Sequence, residues 1–214
     1  MHIALPSDFD KAALSQAQNR RRLAIASAIL VTSFLLLFVG SGWRADYPSV
    51  SIAVERVGLV LIALCIVGRT WCAMYIGGRK KVNLVTHGPY SMVRHPLYLF
   101  SIIGAAGIGA LWGSIVVSLS LALITAAILS SIARKEEEFM LASFGEPYEI
   151  YKSRVARFLP RPSNWSDADV LTVQPAPVVR TFAQSSLFLL GLPAAELVQW
   201  TQGASLTPVI VKLL

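Results

Sequence analysis

"LYLFSIIGAAGIGALWGSIVVSLSLALITAAILSSI", residues 97–132, is a run of 36 residues that contains no charged side chain. One helix that crosses the hydrocarbon of a bilayer needs about 20 apolar residues, so this run is too long for one span and long enough for two. The segment Leu111-Trp112-Gly113-Ser114 is the natural turn between them. The stretch therefore predicts a tight helical hairpin, with its turn at the outer membrane interface.

Three further apolar blocks lie outside this hairpin, at residues 23–39, 54–76 and 182–198. The first follows three arginines, as the apolar part of a signal peptide would, but no A-x-A cleavage pattern follows it, so we expect an uncleaved span. Together the blocks predict an all-α integral membrane protein with about five transmembrane helices. The chain then divides into a segment 1–22, a transmembrane core 23–160, and a loop with an extra span at 161–214.

The charged residues support a membrane class and indicate an orientation. Only 14% of the residues are charged, against about 25% in soluble domains. The net charge of +7 comes from short segments between apolar blocks, so we expect no nucleic-acid partner. With the N-terminus inside, only Arg44, Arg56 and Lys212 of the 19 Lys and Arg residues fall outside. We expect a bacterial inner-membrane protein with a cytoplasmic N-terminus.

Two polar segments meet on the predicted inner side. The first is "HGPYSMVRHPLYLF", residues 87–100, in which His95 precedes a proline suited to the first position of a helix. The N-terminus of that helix attracts carboxylates or phosphates, and Arg94 adds a fixed positive charge. His87 adds a switchable donor. The cluster predicts a site for a polar, partly anionic small molecule at the membrane surface.

The second segment, residues 133–160, is charged, and Gly145 and Pro147 divide it into two predicted helices. Glu136, Glu137 and Glu138 fan out over about 200° of the first helix, so one or two of them can face a pocket and hold an ammonium group or ribose hydroxyls. The second helix has one apolar face, which we expect to lie against the bilayer surface. That face is formed by Tyr148, Tyr151, Val155 and Phe158.

A purely structural interpretation of these residues stays open. The arginines then enforce topology, the glutamates pair with Arg134 and Lys135, His95-Pro96 caps a helix, and the tyrosines belong to an interfacial belt. Arg69 would snorkel to the inner interface. Cys65 and Cys72 have no metal-ligand spacing, so we interpret them as packing residues and predict no metal site.

Two motifs carry a resemblance to a known family. They are Gly88-Pro89-Tyr90 with Arg94-His95-Pro96-Leu97-Tyr98, and Glu136-Glu137 followed by Phe144-Gly145, Tyr148, Tyr151 and Arg154-Val155-Ala156-Arg157-Phe158-Leu159-Pro160. In this order, on either side of an uncharged hairpin, they resemble the isoprenylcysteine carboxyl methyltransferase family, whose wider group includes phospholipid methyltransferases. The resemblance covers about residues 55–160.

The resemblance implies an S-adenosylmethionine-dependent methyltransferase embedded in the bilayer. The cofactor would lie at the cytoplasmic face under the amphipathic segment, and a lipid-like or small membrane-partitioning acceptor (a carboxylate, amine or thiol) would reach it sideways. Arg154 matches a family arginine near the reacting centre and is the expected catalytic residue. The cofactor contacts implied by the motif, with the neighbouring His87 added, are His87, Tyr90, Arg94, His95, Tyr98, Glu136 and Glu137.

Two other functions are weighed against this one. A membrane reductase of the sterol-reductase type would use NADPH and would need more Arg and Gly near the inner face. A non-enzymatic lipid-binding protein could retain the fold without the chemistry. The segment 161–214, which follows Pro160, departs from the family pattern. The sequence indicates neither the acceptor nor the oligomeric state.

Overall fold

The computed structural model describes residues 39–41, 47–76, 84–204 and 211–213. The chain forms two compact units, Met1–Gly40 with Thr201–Lys212, and Ser41–Trp200 with Leu213–Leu214. Strands β1 (Val39–Ser41) and β2 (Val211–Leu213) pair in a two-stranded sheet. The predicted segment 1–22 and the first span, apart from Val39, lie outside the described residues.

All other regular elements of the described residues are helical. Three helical segments are long and apolar enough to cross a membrane, and a fourth is a shorter apolar helix. The three long segments are Pro48–Ile76, Ile115–Phe144 and Pro175–Gly203, and the shorter one is Pro96–Ala110. The predicted all-α membrane protein is therefore confirmed. A 3-10 turn at Leu187–Leu190 lies within the third long segment, and another lies at Pro162–Asn164. The helices are α1 (Pro48–Ile76), α2 (Pro89–Met92), α3 (Pro96–Ala110), α4 (Ile115–Phe144), α5 (Glu146–Arg154), α6 (Pro175–Ser186) and α7 (Gly191–Gly203).

The predicted hairpin is present, and its turn is where the sequence indicates. Helix α3 ends at Ala110. Gly113 has a φ of +68°, a conformation that residues with a Cβ rarely adopt. Ser114 then caps α4, because its hydroxyl oxygen accepts a hydrogen bond from the backbone N–H of Val117 at 3.3 Å. The start of α3 and the end of α4 are thereby brought to the same end of the hairpin.

Small residues allow α1 and α3 to pack closely. A Cβ added to Gly58 would lie 2.8 Å from the carbonyl oxygen of Gly107, and a Cβ on Gly107 would lie 2.9 Å from that of Gly58. Near the other end of the pair, the ring of Phe100 fills the space over Gly68. Such small-residue contacts are typical of helices that associate in membranes. They hold the last turns of α1 beside the first turns of α3.

The charged segment differs in part from its prediction. Helix α4 runs without a break into it and has 30 residues in all. At this length the helix extends about 45 Å, more than the roughly 30 Å of hydrocarbon in a bilayer. The expected break falls at Gly145, which has a φ of +59°. Helix α5 ends at Arg154 because Val155 is extended, so the predicted helical face does not reach Phe158.

The predicted contact of this face with the bilayer surface is wrong for its buried residues. Tyr148, Tyr151 and Val155 are 3%, 9% and 6% exposed, and they pack against α4 residues such as Met140 and Leu141. The apolar periodicity correctly predicted that these side chains are buried, but they are covered by other residues of the protein and not by lipid. Helix α5 is consequently held over the end of α4.

The last apolar block forms a longer helix than predicted. Helical structure covers Pro175–Gly203, against the expected span at 182–198, and the predicted loop ends at Pro175. Proline fits the first position of a helix, so Pro175 starts α6. Pro193 lies in the first turn of α7, where its missing N–H costs no intrahelical hydrogen bond.

Candidate active site

A pocket lies where α2, the end of α1, the start of α3, the last third of α4 and α5 meet. It encloses about 800 Å³, counting the space that is open to solvent. Its lining combines tyrosines and charged or polar side chains with aliphatic ones. The lining residues are Ile76, Leu84, Val85, Tyr90, Arg94, His95, Pro96, Leu97, Tyr98, Glu136, Phe139, Met140, Tyr148 and Tyr151.

Glu137 forms the centre of an ion-pair cluster beside this pocket. Its side chain is only 4% exposed and accepts hydrogen bonds from two arginines and a histidine. Arg157 donates from Nε at 2.9 Å and from Nη2 at 2.6 Å, Arg94 donates from Nε at 3.2 Å, and Nε2 of His95 lies 3.1 Å away. A buried carboxylate is tolerated when it is paired and hydrogen-bonded in this way.

Arg94 also fastens the chain that follows α5. Its Nη1 donates to the carbonyls of Lys152 at 2.7 Å and Val155 at 2.9 Å. Carbonyls at the end of a helix have no partner within the helix and need one from elsewhere. The backbone N–H of Arg94 donates to the carbonyl of Ala156 at 2.9 Å. The start of α3 and the end of α5 are thus held together by one side chain and the adjacent backbone.

His95 is the N-cap residue of α3 and stacks on Tyr98, with ring centroids 5.4 Å apart and ring planes at 3°. Burial lowers the pKa of His95, and this effect outweighs the hydrogen bond to Glu137, which raises it. A lowered pKa favours the neutral imidazole at pH 7. Its Nε2–H donates to Glu137, which leaves Nδ1 as a hydrogen-bond acceptor. Nδ1 lies 3.9 Å from Oε2 of Glu136.

The hydroxyl of Tyr90 is buried without a hydrogen-bond partner in the part of the chain that the structure describes. Tyr90 is 5% exposed and lines the pocket, and burial raises the pKa of its phenol well above the ordinary range, so the group is a donor at neutral pH. By contrast, the hydroxyl of Tyr151 donates to the backbone carbonyl of Tyr90 at 2.8 Å. A buried, unsatisfied donor in a pocket indicates a position where a ligand atom can accept a hydrogen bond.

The structure brings most of the sequence-predicted site residues together. Tyr90, Arg94, His95, Tyr98 and Glu136 line the pocket, and Glu136 is 36% exposed there. Glu137 lies in the ion-pair cluster and is absent from the pocket lining.

His87 and Arg154, the other two predicted residues, are exposed and do not line the pocket. The backbone carbonyl of Arg154 accepts a hydrogen bond from Asn164 at 3.0 Å. The contributions of Arg157 to the cluster and of Tyr148 and Tyr151 to the pocket were not anticipated. The apolar spacing of the two tyrosines was the available signal, whereas Arg157 is in place because the chain becomes extended at Val155.

The described residues include no group of three or more His, Cys, Asp or Glu side chains arranged to hold a metal ion. Cys65 and Cys72 are buried and free. What the pocket offers is a buried phenol, a histidine nitrogen, one carboxylate and an apolar wall. That set of groups can hold and orient a polar molecule beside an apolar one.

Comparison with known proteins gives a family match and three relatives. The family profile of phospholipid methyltransferases matches residues 54–147. The chain is 34% identical over 212 residues to the nickel-cobalt-cadmium resistance protein NccN of Alcaligenes xylosoxydans xylosoxydans, covering 99% of this chain and 96% of that protein. It is 38% identical over 179 residues to the cobalt-zinc-cadmium resistance protein CzcN of Cupriavidus metallidurans, covering 83% and 81%.

The third relative is the protein-S-isoprenylcysteine O-methyltransferase of Schizosaccharomyces pombe. It is 29% identical over 139 residues, which cover 64% of this chain and 57% of that protein. No solved structure matches the chain. The residues matched by the family profile include the start of α3 and the glutamates of α4, the two elements that carry the polar side of the pocket.

Proposed function

Because the chain belongs to the family of the phospholipid and isoprenylcysteine methyltransferases, we propose that it is a membrane enzyme that transfers a methyl group from S-adenosylmethionine. The acceptor is a lipid-like or small membrane-partitioning molecule with a carboxylate, amine or thiol. The observation that supports this proposal best is the pocket itself, which brings polar and apolar side chains together at one end of a helical hairpin.

The residues of the pocket fit the chemical groups of the cofactor. The unsatisfied hydroxyl of Tyr90 suits a ligand oxygen or ring nitrogen, and the carboxylate of Glu136 suits an ammonium group or ribose hydroxyls. Rings such as Tyr98 and Tyr148 offer π-faces to a sulfonium charge. When bound, the cofactor supplies an electrophilic methyl group, and the residues of the chain position it and exclude water.

Glu136 and Glu137 then have different roles. Glu137 already accepts four hydrogen bonds from Arg94, His95 and Arg157, which matches the capacity of a carboxylate. We assign the contact with the ligand to Glu136 and a positioning role to Glu137, which fixes His95 at the start of α3. The acceptor-side role of Arg154 stays a proposal from the family resemblance, since Arg154 lies outside the pocket lining.

We also propose that the pocket opens at the cytoplasmic face of a bacterial inner membrane. The end of α1, the start of α3 and the end of α4 lie at the end of the hairpin opposite to the turn at Gly113. The distribution of Lys and Arg in the sequence favours this end as the cytoplasmic one. A water-soluble cofactor can reach the site there, while the acceptor arrives from the bilayer.

The relatives NccN and CzcN are named as metal-resistance proteins, which adds a second candidate role, in resistance to metal cations. Methyl transfer offers a route to such a role. Methylation of a carboxylate or a thiol replaces an anionic metal ligand with a neutral group that binds cations weakly. Growth on cobalt or cadmium salts of cells that carry wild-type or Glu136→Gln protein would test it, and equal tolerance of both strains would remove this role.

Calorimetric titration in a neutral detergent tests the main proposal. S-adenosylhomocysteine should bind the wild-type protein, and NADPH should not. Glu136→Gln should weaken binding by about 10- to 150-fold, the value of a hydrogen bond to a charged group. Glu138→Gln is the matched control, because Glu138 is an exposed neighbour on the same helix and does not line the pocket. Binding of NADPH alone would favour the reductase, and binding of neither would favour a non-enzymatic protein.

A further inference from the structure

Arg69 connects three helices at the level of the first turns of α3. It is the sole charged side chain of α1 beyond Arg56. Its Nε donates to the hydroxyl of Ser185 on α6 at 2.8 Å, and its Nη1 donates to the hydroxyl of Ser101 on α3. Nη1 also lies 3.5 Å from the carbonyl oxygen of Leu97. The expectation that Arg69 only snorkels to the interface is corrected by these contacts, which tie it to two other helices.

The partner on α6 is completely buried. Ser185 is 0% exposed, whereas its neighbour Ser186 is only partly buried and donates within its own helix, to the carbonyl of Phe182 at 3.0 Å. An arginine in an apolar region needs its N–H groups satisfied, because water is scarce there. Ser185 and Ser101 supply this satisfaction from two sides and so fix the direction of the guanidinium.

Beyond this point, α3 also contacts the rest of the C-terminal span, which is the helical segment Pro175–Gly203. A Cβ added to Gly104 would lie 2.7 Å from the ring of Phe188, so the ring occupies the place of a side chain there. Nε2 of Gln199 lies 3.5 Å from the carbonyl oxygen of Leu111 at the other end of α3. Side chains of the span therefore contact α3 at several points, while its close helix packing is against α1, and the span lies outside the matched residues 54–147.

The same turns of α3 carry the pocket. Leu97 lines the pocket with its side chain while its carbonyl faces Arg69, and Ser101 follows one turn later. His95 and Tyr98, on the polar side of the pocket, lie on the first turn of the same helix. Arg69 is therefore in contact with the same turns of backbone that carry these residues.

We propose that the C-terminal span is a working part of the ligand site, and that Arg69 is the positioning residue that couples Ser185 on this span to the first turns of α3. Arg69 and Ser185 do not line the pocket, so they act through Leu97 and the residues beside it. The inference rests on the proposed function only for the choice of ligand in the test.

The test compares Ser185→Ala with Ser186→Ala in the full chain, adding Arg69→Gln and Arg69→Lys. Two quantities are measured: amide hydrogen exchange of peptides covering residues 96–103, and the affinity for S-adenosylhomocysteine. Ser185→Ala and Arg69→Gln should accelerate exchange at the start of α3 and weaken binding by about 2- to 30-fold, the range for residues coupled to a site without touching the ligand. Arg69→Lys should recover part of the affinity, and Ser186→Ala should match the wild type.

Wild-type exchange and affinity in Ser185→Ala would overturn the inference, as would exchange that rises equally in all helices, which indicates a loss of general stability alone. If Arg69→Gln does not fold, the comparison of Ser185→Ala with Ser186→Ala still tests the inference. If the wild-type protein does not bind S-adenosylhomocysteine, the proposed function fails. The hydrogen-exchange measurement alone then tests whether Arg69 couples Ser185 to the first turns of α3.

Discussion

Two tyrosines of the pocket, Tyr90 and Tyr151, allow a direct test at the scale of single residues, because their hydroxyls are in opposite situations. The hydroxyl of Tyr90 is buried and unsatisfied, whereas that of Tyr151 donates to a backbone carbonyl at 2.8 Å. Without ligand, Tyr90→Phe should leave the free energy of unfolding unchanged or slightly higher, and Tyr151→Phe should lower it by about 1 kcal/mol. Thermal unfolding of the two variants, without ligand, measures this difference.

The same pair should show the reverse order in ligand binding. Tyr90→Phe removes a donor that we assign to the ligand, so its affinity for S-adenosylhomocysteine should fall by roughly 2- to 13-fold, the value of a neutral hydrogen bond. Tyr151→Phe should have the smaller effect on affinity. If Tyr90→Phe destabilises the protein as much as Tyr151→Phe does and binds the ligand normally, Tyr90 is a structural residue.

Substitutions of Glu136 and Glu137 should have different effects on the free energy of unfolding, because we assign Glu136 to the ligand and Glu137 to the ion-pair cluster. Glu137→Ala leaves Arg94 and Arg157 partly buried without their carboxylate, and breaking such a buried pair costs about 3–5 kcal/mol. Glu136 is 36% exposed, so Glu136→Gln should change the free energy of unfolding by less than about 1 kcal/mol. Denaturation in a neutral detergent measures both. Equal losses of stability would show that the two carboxylates share one role.

His95 should make the protein less stable in mild acid. Burial lowers the pKa of His95, with a contribution from Arg94, although Glu137 and Glu136 act in the opposite direction. The unfolded chain then binds a proton near its ordinary pKa of about 6.5, before the folded chain does. Stability from His95 is therefore fully present above that pH and falls as the pH is lowered through it. The melting temperature at pH 5.5 and 7.5 should differ less in His95→Asn than in the wild type, and an equal difference would contradict this assignment.

At the scale of elements, the turn between α3 and α4 gives the clearest prediction. Gly113 has a φ of +68°, where a residue with a Cβ is strained by about 1–2 kcal/mol. Gly113→Val should lower the free energy of unfolding by at least that amount, and Gly113→Asn should be milder because asparagine tolerates this conformation. Gly203→Ala is the control, since a Cβ there would meet nothing within 4 Å. No loss in Gly113→Val would show that the turn can rearrange freely.

Some of these elements were predictable from local sequence patterns, whereas contacts between residues distant in sequence were not. The hairpin was predictable because the uncharged run 97–132, with one Gly-containing break, allows few other arrangements in a bilayer. The polar start of α3 was predictable from His95-Pro96. The full set of hydrogen bonds to Glu137 was not predictable, because two of them come from Arg157. The side chain of Arg157 reaches Glu137 only because the chain leaves the helix at Val155. The contact between Arg69 and Ser185 joins residues 116 apart, and no local pattern encodes it.

At the scale of the whole molecule, the pocket lies at the charged end of the helices. The orientation of the protein in the membrane determines from which compartment a cofactor could enter the pocket. The distribution of Lys and Arg predicts that this end lies inside, with a cytoplasmic N-terminus. A cysteine introduced at exposed Glu138, near the pocket, should resist a membrane-impermeant thiol reagent in intact cells and react after permeabilisation. Labelling of intact cells would place the pocket on the outer side and would remove the cytoplasmic site from the account.

Methyl transfer is measured most directly by the mass of its product. Purified protein in neutral detergent would receive S-adenosylmethionine with an isotopically labelled methyl group, together with total lipid and thiol extracts. We expect a labelled product with the wild type, about 10- to 150-fold less with Glu136→Gln at limiting cofactor, and a wild-type amount with Glu138→Gln. No labelled product from any extract, with S-adenosylhomocysteine also failing to bind, would contradict the claim.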